Sequence, residues 1–172
     1  MAEKLDYDLV WESSAPLYMG ELPNSYRDVP AQVIINACGV VPLLSVPSPT
    51  VLVFPMVDTL EAEYIPARER IEALVDAAHV FARSEPTYWH CHAGLNRSGL
   101  LVAAYLHRHA GLRISDAIQH LRGARSPMVL CNNVFERTLR DWYGDEDEQL
   151  FTPFDLSTYL RERVRRKERG KE

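Results

Sequence analysis

The feature that most restricts the fold is the segment TYWHCHAGLNRSGLL, residues 87–101. Its first residues are β-branched and aromatic, which is typical of a buried strand, and its last residues begin an apolar run at helical spacing. The polar loop between them contains a cysteine, a glycine and an arginine. A strand that enters a helix through a tight loop leaves backbone N–H groups free, and these bind anions together with the positive end of the helix. The segment therefore predicts an anion-binding loop.

Strand-like and helix-like segments alternate along the rest of the chain. Predicted strands cover residues 33–37, 51–57 and 87–91, and predicted helices cover 66–84, 97–110, 114–126 and 132–144. Pro66 suits a first helical position, and Gly111 suits a helix end. This alternation predicts an α/β fold with a mainly parallel central sheet flanked by helices. Ligands bind at the carboxyl ends of parallel strands, and Cys91 and Asp58 each follow a predicted strand there.

The loop also predicts a nucleophile that faces a bound phosphate. A free thiol has a pKa of about 8.5, which helix N-termini and nearby cations lower to roughly 3.5–7.5, so Cys91 is expected to be a thiolate at neutral pH. Arg97 lies six residues later, and its planar guanidinium can bind two phosphate oxygens. Backbone N–H groups are expected to hold the phosphate at His92, Ala93, Gly94, Leu95, Asn96 and Arg97.

Charge is unevenly distributed along the 172 residues. The formal net charge is −5, but residues 161–172 carry a net of +4, which leaves −9 on the first 160 residues. So acidic a body is a poor general binder of nucleic acid, because that affinity comes from neutralising phosphates. An acidic break at 145–148 predicts a domain boundary, with a catalytic domain over 1–146 and a basic helical tail over 147–172 that docks on it. The tail is also the one segment that suits an acidic partner or RNA.

The cysteine count and the hydropathy indicate the compartment. Three cysteines far apart argue for reduced thiols in a cytoplasm rather than a disulfide scaffold. No apolar run approaches the ~20 residues of a membrane helix, and residues 1–14 resemble no signal peptide.

Two competing patterns are set aside. Cys131 and Arg137 repeat the six-residue spacing, but their segment lacks a glycine and has apolar residues at helical spacing. His90 and His92 flank Cys91 and could suggest a metal site, yet no further cluster at ligand spacing accompanies them. His90 is instead expected to hydrogen-bond the loop backbone, and no metal or other cofactor is expected.

The loop HCHAGLNRSG resembles the H-C-x-x-G-x-x-R-[ST]-G signature of cysteine-based protein phosphatases, and the short chain resembles the dual-specificity type. APLYMG resembles an early strand of that family, PMVD its general-acid loop, and CNNVFERTLRDW one of its later helices. The similarity covers roughly residues 15–143. It implies a phosphocysteine mechanism without a metal, in which Ser98 stabilises the departing Cys91 thiolate. The family's asparagine on the later helix corresponds to Asn132 or Asn133, with Asn132 preferred.

The proton donor is expected between the second and third predicted strands. Asp58 is preferred because it follows a strand and precedes Cys91 by 33 residues, close to the spacing in the family. Glu61 and Glu63 remain alternatives. The donor would give a proton to the leaving group and then accept one from water.

The substrate class stays open at this point. Phosphotyrosine and phosphoserine or phosphothreonine in proteins are the leading expectation. Asn96 resembles the F-N-R-T-G loop of RNA 5′-triphosphatases, so an RNA 5′-phosphatase is an alternative, and a phospho-binding protein without catalysis is another. Phosphoinositides are less expected because the loop has no fixed positive charge besides Arg97.

Overall fold

A five-stranded sheet forms the centre of the protein, in the order β1-β2-β5-β3-β4. The structure is a computed structural model, and it describes residues 5–42 and 49–145. The strands and helices are β1 (Tyr7–Glu12), β2 (Pro16–Gly20), β3 (Val33–Asn36), β4 (Thr50–Val53), α1 (Arg68–Ala82), β5 (Thr87–His90), α2 (Arg97–Ala110), α3 (Ile114–Ala124) and α4 (Asn133–Tyr143). Strand β1 pairs antiparallel with β2, and the other three pairings are parallel. The predicted mainly parallel α/β fold is therefore confirmed.

Strands β3 and β5 are neighbours in the middle of the sheet, with strands on both sides. Every residue in them is buried. Their register sets Asn36 opposite His90, so both strands end at the same edge of the sheet. Helix α2 starts from that edge and buries its residues from Ser98 to Leu106. Gly111 ends it in a left-handed conformation with φ of 73°, as the sequence predicts. The central strands and α2 thus hold the predicted anion loop between them.

One strand was missed, and two sequence expectations are wrong in detail. The missed strand is β1, in the acidic N-terminal segment, where apolar and acidic residues alternate from Leu5 to Leu9 as in a strand. Strand β4 ends at Val53, before Pro55, which lacks an N–H donor, so Asp58 lies in a loop and does not directly follow a strand. Helix α1 begins at Arg68 rather than Pro66, because the first helical hydrogen bonds are accepted by the carbonyl of Ala67.

Within the described residues, no helix has the length and apolar character needed to cross a membrane. The predicted tail, 147–172, lies outside the described part of the chain.

Candidate active site

The phosphate loop connects β5 to α2 and begins at Cys91, which is buried at the carboxyl end of β5. Gly94 has a φ of 67°, a left-handed conformation that favours glycine. A Cβ atom at this position would lie 2.4 Å from the carbonyl carbon of Gly20. The loop therefore needs a glycine here both for its turn and for its close approach to the end of β2.

Neighbouring segments bind the carbonyl groups of the loop from outside. The Leu22 N–H donates to the carbonyl of His92 at 3.1 Å, and the Leu130 N–H donates to that of Leu95 at 3.2 Å. These bonds turn the peptide carbonyls away from the centre of the loop, so the N–H groups can face an anion there. The His92 side chain is exposed, whereas Leu95 is buried.

The Cys91 thiol lies in an environment that favours the thiolate. Burial by itself would raise its pKa, but the Ser98 hydroxyl, backbone N–H groups of Ser98 and Leu95, and the charge of Arg97 together lower it below the ordinary value. The Ser98 Oγ is 3.4 Å from the Cys91 Sγ. Each of these contacts favours the thiolate, which is the nucleophilic form of cysteine and also a good leaving group.

Arg97, the first residue of α2, holds its guanidinium beside the loop. Its Nη1 donates to the carbonyl of Met56 at 3.3 Å, and its Nε lies 3.8 Å from the Asp58 Oδ2. The Nε atom is buried and has no hydrogen-bond partner among the described residues. A buried donor without a partner is costly, so it is available to a bound phosphate oxygen.

The structure brings Asp58 to the loop and leaves the two alternative acids outside it. The carboxylate of Asp58 accepts hydrogen bonds from the Asn132 Nδ2 at 3.1 Å and from the Asn96 Nδ2 at 3.3 Å. Glu61 and Glu63 are exposed near the following short turn, Ala62–Tyr64. Among these three carboxylates, Asp58 has the position of a proton donor.

Asn132 also caps helix α4. Its Oδ1 accepts the N–H of Val134 at 3.1 Å, and its Nδ2 donates to the carbonyl of Thr59 at 2.7 Å as well as to Asp58. The neighbouring Asn133 is exposed. Of the two asparagines that the resemblance left open, the structure places Asn132 at the site.

Behind the loop, His90 belongs to a buried hydrogen-bond chain that sequence reasoning only partly found. Its Nε2 is 3.1 Å from the Tyr26 hydroxyl, which accepts the Asn36 Nδ2 at 3.0 Å. The His90 Nδ1 faces the carbonyl of Cys91 at 3.4 Å, and because a carbonyl only accepts, Nδ1 carries the ring hydrogen and Nε2 accepts the proton of the Tyr26 hydroxyl. Burial lowers the pKa of His90 to about 4, so the ring is neutral at physiological pH. His90 is buried, whereas His92 is exposed.

Arg125, which follows α3, supports the loop and was missed by sequence reasoning. Its guanidinium is buried, contacts the Asp6 carboxylate at 2.9 Å and the Asp8 carboxylate at 2.8 Å, and donates through Nε to the carbonyl of Gly94 at 3.4 Å. Burial by itself would lower the pKa of Arg125, but the two carboxylates raise it above its ordinary value. The sequence placed Arg125 in a predicted helix, and nothing in that segment indicates that its partners are Asp6 and Asp8.

The second cysteine–arginine pair forms no anion loop. Arg137 lies in α4 and is exposed, and Cys131 is buried just before that helix. Burial raises the pKa of the Cys131 thiol. A thiol that stays protonated at neutral pH is a poor nucleophile.

Comparisons with known proteins agree with this fold. The family model "Dual specificity phosphatase, catalytic domain" matches residues 17–145. The Phosphatidylglycerophosphate phosphatase PTPMT2 of Arabidopsis thaliana is 29% identical over 155 residues, which cover 84% of this chain and 64% of that protein. The structure of human DUSP28 is similar with a TM-score of 0.63 and 21% identity, covering 84% of this chain and 95% of that one. PTPMT1 in complex with PI(5)P gives a TM-score of 0.64 and 20% identity, covering 81% and 95%.

Proposed function

The chain belongs to the dual specificity phosphatase family, and on that premise we propose that it hydrolyses phosphate monoesters through a phosphocysteine intermediate without a metal ion. The observation that carries the proposal is the convergence of the Cys91 thiol, the Arg97 guanidinium and the Asp58 carboxylate at one loop. These are a nucleophile, an oxyanion clamp and an acid, which together suffice for phosphoryl transfer.

In the first step the Cys91 thiolate attacks the phosphorus, and a P–S bond forms as the P–O bond to the alcohol breaks. Arg97 binds two of the phosphoryl oxygens through its fork, and the loop N–H groups of residues 92–97 are shared among all three phosphoryl oxygens. Asp58, protonated, gives its proton to the departing oxygen. The products are the free alcohol and the phosphocysteine.

In the second step water attacks the same phosphorus from the side the alcohol has left. Asp58, now a carboxylate, accepts a proton from that water as the P–O bond forms. The P–S bond breaks, and the electron pair returns to the Cys91 sulfur. The Ser98 hydroxyl, 3.4 Å from that sulfur, donates to the thiolate as it leaves.

For the substrate we propose phosphorylated tyrosine, serine and threonine in proteins. Exposed Glu61 and Glu63 follow the acid on its loop, and the phosphate loop itself carries no lysine. Anionic membrane surfaces attract clusters of basic residues, so this acidic surrounding favours a protein over a lipid headgroup.

A second candidate is the phosphate of a phospholipid. It is favoured by the similarity to Phosphatidylglycerophosphate phosphatase PTPMT2, of which the chain spans 64%. An RNA 5′-phosphate is a third, weaker candidate, because the acidic body would repel a polyanion.

One experiment separates these candidates. Wild-type protein and Cys91→Ser are assayed side by side on p-nitrophenyl phosphate, phosphotyrosine and phosphoserine peptides, phosphatidylglycerophosphate in vesicles and 5′-triphosphorylated RNA, each with and without EDTA. We expect turnover of the aryl phosphate and the peptides, inhibition by vanadate, no effect of EDTA, and no turnover by Cys91→Ser. Turnover above a few per cent in Cys91→Ser would remove Cys91 as the nucleophile. Faster hydrolysis of the lipid than of the peptides would replace the protein assignment.

A further inference from the structure

The side chain of Asn96 makes contacts that a phosphate-binding loop does not itself require. Its Oδ1 accepts the backbone N–H of Asn132 at 3.0 Å and faces the Cys131 Sγ at 3.5 Å. An amide oxygen has to face a backbone donor, so these two contacts set which way the amide is turned. The Nδ2 group of Asn96 is therefore directed at Asp58.

The Asp58 carboxylate accepts hydrogen bonds from the side-chain amides of both Asn96 and Asn132. The Asn96 Nδ2 lies 3.4 Å from Oδ1 and 3.3 Å from Oδ2, and the Asn132 Nδ2 lies 3.1 Å from Oδ1. Asn96 and Asn132 are also joined to each other through the Asn132 N–H. The two asparagines and the carboxylate thus form a closed triangle of hydrogen bonds across the phosphate loop, the acid loop and the start of α4.

The acid loop needs such a tether because little else buries it. Val57, Asp58 and the residues from Leu60 to Tyr64 are exposed, whereas Met56 and Thr59 are buried. An exposed loop samples several positions, and a proton donor works only within hydrogen-bond reach of the leaving oxygen. The triangle holds the carboxylate beside Arg97 before substrate arrives.

The two oxygens of the Asp58 carboxylate have different contacts. Oδ1 has the shorter amide bond, from Asn132, while Oδ2 lies 3.8 Å from the unpartnered Arg97 Nε. Oδ1 accepts from both amides, whereas Oδ2 accepts from Asn96 alone, at 3.3 Å, so Oδ2 is the oxygen with a lone pair left for the proton. Oδ2 is also the oxygen on the side where Arg97 would hold the phosphoryl group.

We propose that Asn96 is a positioning residue, whose side-chain amide holds Asp58 in the geometry for proton donation. Its backbone N–H and its side chain then serve different partners, the phosphate and the acid. The inference rests on the proposed function, since it presumes that Asp58 is the acid.

The test uses the dependence of rate on the leaving group. Phosphorylation of the enzyme is measured in single turnover with p-nitrophenyl phosphate, a phosphotyrosine peptide and a phosphoserine peptide. A weakly basic leaving group hardly needs a proton, whereas an alkoxide needs it most. Because acid catalysis is worth about 10²–10⁴-fold, Asn96→Ala should slow the phosphoserine reaction by about 10-fold or more, the phosphotyrosine reaction less, and the aryl phosphate least.

A double-mutant cycle shows whether Asn96 acts through Asp58. In the Asp58→Asn background, Asn96→Ala should cause no further leaving-group-dependent loss. Asn96→Asp keeps the acceptor for the Asn132 N–H but removes the donor, so it should reproduce the graded loss even if Asn96→Ala folds poorly. The matched control is Asn133→Ala, an exposed asparagine that should leave all three rates unaltered. Vanadate affinity should stay within about 2-fold of wild type in Asn96→Ala and Asn133→Ala, since the loop N–H groups and Arg97 remain, and should fall in Asn96→Asp, whose added negative charge repels the anion.

The possible outcomes separate the two claims. Equal losses on all three substrates, or additive losses in the Asp58→Asn background, would overturn the positioning role while leaving Cys91 as the nucleophile. The positioning role is overturned as well if Asp58→Asn itself shows no leaving-group dependence. Undiminished turnover by Cys91→Ser would instead reject the proposed function, and the inference with it.

Discussion

Replacing Arg125 with methionine is expected to destabilise the protein by about 3 kcal/mol, because two half-buried carboxylates lose the buried guanidinium that they contact. The Arg125 side chain is 1% exposed, whereas the side chains of Asp6 and Asp8 are 20% and 34% exposed. Removing one partner of a buried ion pair typically costs about 3–5 kcal/mol, as a charge is left without compensation. Since both carboxylates can regain water here, we expect the lower end of that range.

The matched control is Arg108→Met on the surface. Arg108 contacts Asp76 at 2.6 and 2.8 Å, distances no longer than those of Arg125, but the two side chains are 38% and 43% exposed. Exposed ion pairs contribute little, because water screens them and their side chains lose entropy when they are held. The comparison therefore isolates the effect of burial at equal contact distance.

The assay is urea unfolding at pH 7, followed by tryptophan fluorescence, with free energies from linear extrapolation. Arg125→Met should lose clearly more stability than Arg108→Met. Adding Asp6→Asn and Asp8→Asn to Arg125→Met should recover part of the loss, since the two charges that the guanidinium balanced are then replaced by neutral amides. A loss for Arg125→Met no larger than that for Arg108→Met would refute the argument from burial. A triple variant less stable than Arg125→Met would show that the carboxylates have other essential partners.

Three further predictions concern the loop and its surroundings. Arg97→Lys should lower kcat nearly as much as Arg97→Ala, because a lysine is a point charge that cannot span two phosphoryl oxygens; a kcat equal to wild type would show that charge alone suffices. Ser98→Ala removes a hydrogen bond that lowers the pKa of Cys91, so the pH midpoint of iodoacetamide alkylation should move upward, and an unmoved midpoint would contradict that cause. His90 has a folded pKa of about 4 and an unfolded pKa near 6.5, so the unfolded chain binds the proton more readily between these values and stability falls as pH drops through that window. When the free energy of unfolding in urea is measured at pH 7 and at pH 4.5, its decrease should be about 2 kcal/mol smaller for His90→Gln than for wild type. Equal decreases would assign the acid sensitivity to other groups.

The phosphate loop could be predicted from the sequence because the residues that form it are contiguous. A buried strand, a glycine at the turn, an arginine six residues after the cysteine and an apolar helix all lie within residues 87–110. The geometry of such a segment depends on local backbone preferences and burial, which leave a clear pattern. The central strands β3 and β5 were predicted for the same reason, since each is short, apolar and bounded by turn residues.

The proton donor could not be settled in this way. Asp58, Glu61 and Glu63 lie within six residues of one another, and all three are carboxylates near a predicted strand end. Asp58 is distinguished by the amides of Asn96 and Asn132, which are 38 and 74 residues away along the chain. Contacts at such separations form only when the helices have packed on the sheet.

The faces and the ion pairs of the N-terminal strand depended on the tertiary structure. Strand β1 lies at the sheet edge, and an irregularity in its pairing between Leu9 and Trp11 buries Val10 and leaves Leu9 exposed, against the simple alternation of its sequence. Arg125 meets Asp6 and Asp8 more than 100 residues away, and neither end of these pairs has a local pattern that indicates the other. Local propensity and periodicity therefore indicate the candidate nucleophile and the loop that holds it. Long-range packing decides which carboxylate lies beside that loop and which cation supports it, because two charges far apart in the sequence come into contact only when the chain has folded.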